Sequence, residues 1–241
     1  ASADEPGGTT SRVGGMDDRL ASLSRGSRLL FQGDSITDLN WGRNEADRNH
    51  YLGHSYVYLL AARLGVEMPD AQLDFYNRGK SGNTVQNLRD RWQADAIEMK
   101  PDVLSVLVGV NDVDKVLRKD IAGAVDATAW ESNYRYLLDT SRKANPDLRL
   151  VLLDPFVLAS GKLKEPAAYK AYRGQVDRLI AIVTQLAKDY DAVHIQTQQV
   201  FDQAAKAVSP EHWIWDGIHP LPQGHELIAR RWVQSISEQW G

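Results

Sequence analysis

Ser35 sits two residues past the glycine that closes a short apolar run, in Leu29-Leu30-Phe31-Gln32-Gly33-Asp34-Ser35-Ile36-Thr37-Asp38. A serine hydroxyl is a poor nucleophile at neutral pH and attacks an ester only with a base in hydrogen-bond reach. The far end of the chain supplies a candidate base in Trp215-Asp216-Gly217-Ile218-His219-Pro220. The glycine-containing turn lets the Asp216 carboxylate fold back onto the His219 imidazole and fix its tautomer. Pro220 disfavours helical geometry at His219 and keeps the ring on a loop. Acyl transfer also needs donors aimed at the oxyanion of the transition state. Asn111 offers a side-chain amide after an apolar run, Gly79 a closely approachable backbone N–H, and Ser35 its own N–H.

Each piece alone has a plainer reading. Asp34 or Ser35 is a good helix cap, Asn111-Asp112 a turn or cap, and Gly79 a turn residue with positive φ. The remaining histidines are weaker candidates than His219. His194 falls within an apolar strand, His225 in the last helix, and His50 and His54 in a loop-to-helix passage. His212 has only its neighbour Glu211. What favours chemistry is that all four clusters fall at the ends of expected elements.

Those elements alternate. Apolar runs at 28–31, 73–76, 103–108, 148–153 and 192–195 read as five buried strands. Between them, apolar residues recur at helical spacing: Tyr56, Leu59, Leu60 and Leu64; Val85, Leu88, Trp92 and Met99, closed by Pro101; Trp130, Tyr134, Leu137 and Leu138; Val176 to Leu186; and a final helix from about Gln223. A long, partly charged connection follows Asn111-Asp112, and a polar excursion spans 160–166. Strand–helix alternation predicts an α/β protein, a three-layer α/β/α sandwich around a central five-stranded parallel sheet. In such sheets ligands bind beyond the carboxyl ends of the strands. Residues 1–20, rich in Gly, Ser, Thr and Asp, read as a flexible arm, and 21–241 as a single domain.

The 241 residues carry a net charge of -4, with 43% hydrophobic and 25% charged residues. No basic cluster suggests nucleic-acid or anionic-membrane binding, and no apolar run is long enough to span a bilayer. With no cysteine, thiol catalysis, disulfides and thiolate metal sites are excluded. Ala1-Ser2-Ala3 is compatible with the remnant of a cleaved export signal, and export is the slightly favoured expectation.

Gly33-Asp34-Ser35, Asn77-Arg78-Gly79, Gly109-Val110-Asn111-Asp112 and Asp216-Gly217-Ile218-His219 resemble, in order, the four sequence blocks of the GDSL or SGNH hydrolases. The resemblance runs from about residue 28 to the C-terminus. Lys80-Ser81-Gly82-Asn83-Thr84, Arg91-Trp92 and Trp215-Asp216 with His219-Pro220 narrow it toward bacterial xylan O-acetylesterases. It implies the flavodoxin-like fold of that superfamily, with Ser35 as nucleophile, His219 as general base and acid, and Asp216 as the orienting carboxylate. It implies an oxyanion hole from Ser35, Gly79 and Asn111, with no metal and no cofactor. The expected partner is an acetylated polysaccharide or smaller acetyl ester, and related acetylesterases make a homo-oligomer an expectation. Asp34 and Trp215 are further candidates for substrate contact, and Trp41, Tyr51 and Trp213 fall near the same rim. Trp92, Trp130 and Trp232 keep core spacing. Three alternatives stand beside this one: a metal-dependent phosphoesterase using Asp34, Asp38, Asp112, Asp216 and His219; a lysophospholipase or thioesterase; and a non-catalytic carbohydrate-binding protein.

Overall fold

The computed structural model describes residues 23–240, so the expected arm at 1–20 lies outside the described residues. Five strands form one sheet: β1 (Arg28–Gly33), β2 (Asp74–Asn77), β3 (Val103–Leu107), β4 (Arg149–Leu153) and β5 (Val193–Ile195). Their order is β2-β1-β3-β4-β5, and every neighbouring pair is parallel. Near-continuous apolar sequence in β3 and β4 is what a sheet covered on both faces demands. The chain runs to one side of β1 and then returns to the other. This makes the gap beyond β1 and β3 the topological switch point where such folds bind ligands.

Register sets the ends level. Gly33 pairs with Leu107, Leu107 with Leu153, and Leu153 with Ile195. The polar residues that follow each strand therefore emerge along one rim. Nine α-helices lie among the described residues: α1 (Ser35–Asp38), α2 (Tyr56–Glu67), α3 (Val85–Trp92), α4 (Val110–Leu117), α5 (Ala127–Ala144), α6 (Pro166–Asp189), α7 (Thr197–Ala207), α8 (Pro210–Trp213) and α9 (Pro222–Trp240). Helix α3 packs on α5, α5 on α6, and α2 and α7 on α9.

Two buried tryptophans tie the layers together, and their indole N–H groups find acceptors. The Trp232 indole of α9 donates to Ser105 Oγ of β3 at 3.1 Å, and its ring lies 5.8 Å from Phe31 of β1. Trp92 of α3 donates to Ser141 Oγ and the Leu137 carbonyl of α5. With Trp130, these tryptophans are buried, as their spacing predicts.

Two stretches differ from expectation. Asn111 lies not on a turn but in the first turn of α4, whose inward residues Val110, Val113 and Leu117 alternate with charged ones too closely to stand out. Helix α7 is anchored by polar contacts. Buried Gln198 accepts from Val157 N–H at 2.9 Å and donates to Val157 C=O at 3.0 Å. An apolar stripe is the usual signal of a helix, and here a buried amide occupies part of it.

Candidate active site

Beyond Gly33 the chain turns directly into α1, and Asp34 caps it, Oδ1 accepting from Ile36 N–H at 3.0 Å. This places Ser35 at the rim, its Oγ 2.8 Å from His219 Nε2. The other ring nitrogen, Nδ1, is 2.6 Å from Asp216 Oδ2. Asp216 Oδ1 accepts from the Ile218 N–H at 2.9 Å and the His219 N–H at 2.7 Å, so the carboxylate organises the turn as well as the ring. Burial pushes the Asp216 carboxyl up, but hydrogen bonds from the His219 ring and these two N–H groups outweigh it and hold the group at about 2. An ionised Asp216 makes Nδ1 the donor, leaving the Nε2 lone pair to accept from the serine hydroxyl. Residues 184 apart in sequence thus form one hydrogen-bonded chain. Contacts from the 158–163 stretch fix the loop: Ser160 Oγ donates to Ile214 C=O and Leu158 N–H to Gly217 C=O.

One of the three expected oxyanion donors, Gly79, departs from the sequence reading. The Ser35 N–H has no hydrogen-bond partner among the described residues, and Asn111 Nδ2 spends one N–H on the Asn83 carbonyl at 3.2 Å. Gly79 is different, because its N–H donates to Asn77 Oδ1 at 2.8 Å in a buried turn. A side chain there would put Cβ 2.4 Å from Asp38 N, so the glycine serves close packing against α1. The free N–H on this loop belongs to Gly82. It occupies the third position of the turn closed by Asn83 N–H to Lys80 C=O, with φ +78, which favours glycine. Its N–H has no partner among the described residues, and its neighbour Asn83 holds Asn111. The sequence shows both glycines of the loop; only the backbone hydrogen bonds tell which N–H is occupied.

Asp34 also departs from expectation. It is 1% exposed and turned inward, so it is not placed as a surface contact for substrate. Burial pushes its carboxyl up to about 6, against the pull of the Ile36 N–H, His219 and Asn111. Asp112 lies nearby, pushed up to about 7 by burial although the Val85 N–H lies 3.3 Å from both its oxygens. Among the four rim aromatics, three are committed internally. Trp41 donates to Gly79 C=O and has the Arg43 and Arg78 guanidiniums within 5.0 Å of its ring centre, Tyr51 lies under Arg48, and Trp213 donates to Val208 C=O. Trp215, beside Asp216, is 60% exposed.

The other histidines lie outside this chain. His194 bonds Asp154 at 2.7 Å, and His50 bonds Asp47 on the surface. His225 is buried against Tyr56, accepts its N–H, and is driven down to about 3 by burial. No group of three or more His, Asp or Glu side chains among the described residues is arranged to hold a metal ion. None of the described helices is long and apolar enough to cross a membrane.

Residues 31–227 match the model of the GDSL-like Lipase/Acylhydrolase family. The chain belongs to this family. It is 31% identical over 224 residues to an acetylxylan esterase of Geobacillus stearothermophilus, covering 90% of this chain and 97% of that one. A crystal structure of that esterase superposes with a TM-score of 0.77 at 31% identity, covering 91% of this chain and 98% of that one. A structure described as a GDSL-like lipase from Parabacteroides merdae superposes with a TM-score of 0.82 at 33% identity, over 89% of this chain and 97% of that one. Structures of the Geobacillus esterase include catalytic mutants in which a serine, an aspartate and a histidine are each replaced by alanine. The family and this similarity make the protein a carboxylic ester hydrolase.

Proposed function

We propose that this GDSL-like acylhydrolase removes O-acetyl groups from carbohydrate, acetylated xylan or its oligosaccharides, through an acetyl-enzyme on Ser35. The observation that carries the mechanism is the continuous chain from Asp216 through His219 to Ser35, with links of 2.6 and 2.8 Å. His219 Nε2 takes the hydroxyl proton as Ser35 Oγ attacks the acetyl carbonyl, and Asp216 stabilises the imidazolium. The oxyanion is met by the N–H groups of Ser35 and Gly82 and by the Asn111 side-chain amide, donors that cost no reorganisation when held in place. On collapse, the imidazolium gives its proton to the departing sugar oxygen. Water then loses a proton to His219 and attacks the acetyl-serine carbon. Acetate leaves, and Ser35 recovers its proton.

The carbohydrate substrate rests on similarity to the Geobacillus acetylxylan esterase and on Trp215, an exposed ring beside Asp216 on which a sugar can stack. The test is acetate release from acetylated xylan, pectin, mannan and peptidoglycan, with acetyl and octanoyl esters of one alcohol alongside. Xylan and the acetyl ester are expected to lead, and Ser35→Ala to abolish turnover while sparing sugar binding. Preference for the octanoyl ester argues for a long-chain acyl substrate, and turnover by Ser35→Ala removes the nucleophile.

A further inference from the structure

Arg91, near the end of α3, sends its guanidinium to four places. Nε donates to Asn83 Oδ1 at 2.8 Å, Nη1 to Gln32 Oε1 and Asp95 Oδ2, each at 3.0 Å, and Nη2 to the Gly33 carbonyl at 3.3 Å. Gly33 is the last residue of β1, two before Ser35. Asn83 is the last residue of the turn that presents the Gly82 N–H, and its own carbonyl accepts from Asn111 Nδ2. The Gly33 carbonyl also accepts from Lys80 N–H at 3.1 Å, at the other end of that turn.

We infer that Arg91 is a positioning residue for ester hydrolysis: its guanidinium clips the Gly82–Asn83 turn to the nucleophile strand and so fixes the oxyanion donors relative to Ser35. The inference rests on the mechanism proposed above and adds to it a residue that touches no substrate. Arginine suits the task because five donors in one rigid plane can hold two backbone segments at a set separation. A lysine in its place keeps the charge opposite Asp95 but reaches fewer acceptors, and it fixes no plane. The partners themselves leave little slack. Gln32 is fully buried and donates to the Asp95 carbonyl, while Asn83 is pinned through side chain, N–H and C=O.

Displacing donors from the developing oxyanion weakens transition-state binding more than ground-state binding, and small misplacements can cost about a hundredfold. Arg91→Lys is therefore expected to lower kcat for a nitrophenyl acetate ester by about 10- to 100-fold, with KM within about twofold. Asn83→Ala is expected to do the same without touching the core, and the double variant to lose no more than the worse single one. Melting temperatures recorded alongside separate unfolding from misplacement. The inference is overturned if either variant, folded, keeps kcat within about twofold of the parent, or if the two losses multiply in the double variant. Should Arg91→Lys not fold, the Asn83→Ala result decides alone. A parent enzyme that hydrolyses the ester beside unaffected variants removes only the clip; a Ser35→Ala enzyme that still hydrolyses it removes the mechanism beneath.

Discussion

Two carboxylate–imidazole pairs lie toward the carboxyl ends of this sheet, Asp216 with His219 at 2.6 Å and Asp154 with His194 at 2.7 Å. By distance alone they are twins. They differ in which nitrogen is engaged. Asp216 takes Nδ1 and leaves Nε2 on a serine hydroxyl, whereas Asp154 takes Nε2 of a ring held in the edge strand β5. They differ also in electrostatics. The Asp216 carboxylate gathers two backbone N–H groups and is held at about 2, whereas burial raises Asp154 despite its histidine. An imidazole–carboxylate bond is thus a common way to satisfy a buried acid, and it becomes catalytic machinery only where the second nitrogen meets a nucleophile beside oxyanion donors.

The sharpest test exchanges histidine for alanine in each pair. His219→Ala is expected to lower kcat by about 10⁴- to 10⁶-fold. His194→Ala should leave kcat within about twofold while costing about 1–3 kcal/mol of stability, because a buried carboxyl loses its partner. Comparable activity losses in the two variants would make the pairs equivalent and undo the comparison. Next in size is Asn111→Ala, which removes one oxyanion donor and should lower kcat by about 10²- to 10³-fold with little change in KM.

Acid titration separates the pairs by sign. Asp216, depressed to about 2, adds stability that is fully present above its unfolded value and lost as pH falls from about 4 toward 2, in all about 2 kcal/mol. Asp154 is raised, so its ionisation costs stability as pH rises and that cost disappears on acidification. In urea melts between about pH 6 and pH 3, Asp216→Asn should therefore lose less stability than the parent and Asp154→Asn more. The same direction for both variants contradicts the assignment. The smallest effect expected is from Trp215→Ala, a rise of a few-fold in KM for acetylated xylo-oligosaccharides with nitrophenyl acetate kinetics unchanged, a loss in the range of an exposed stacking contact.

Much of this molecule is legible in its residues for physical reasons. Buried parallel strands must be apolar throughout, so 103–108 and 148–153 announce themselves, and β3 and β4 fall inside them. Ser35 and His219 are legible because few residue types can perform their chemistry. Helices α4 and α7 are less so: one is short and densely charged, the other docks through buried Gln198. The choice between Gly79 and Gly82 is not legible either, since it depends on an N–H already given to Asn77.

Sequence by itself determined the alternation of strands and helices, the serine, the Asp216–His219 turn and the amide of Asn111, because each follows from local periodicity or from scarce chemical types. Only the tertiary structure decided which imidazole meets a hydroxyl, which glycine keeps its N–H free, that Asp34 turns inward, and that Arg91 joins two segments of the site. Those outcomes depend on distances between segments far apart in the chain, and such distances are fixed by strand register and packing.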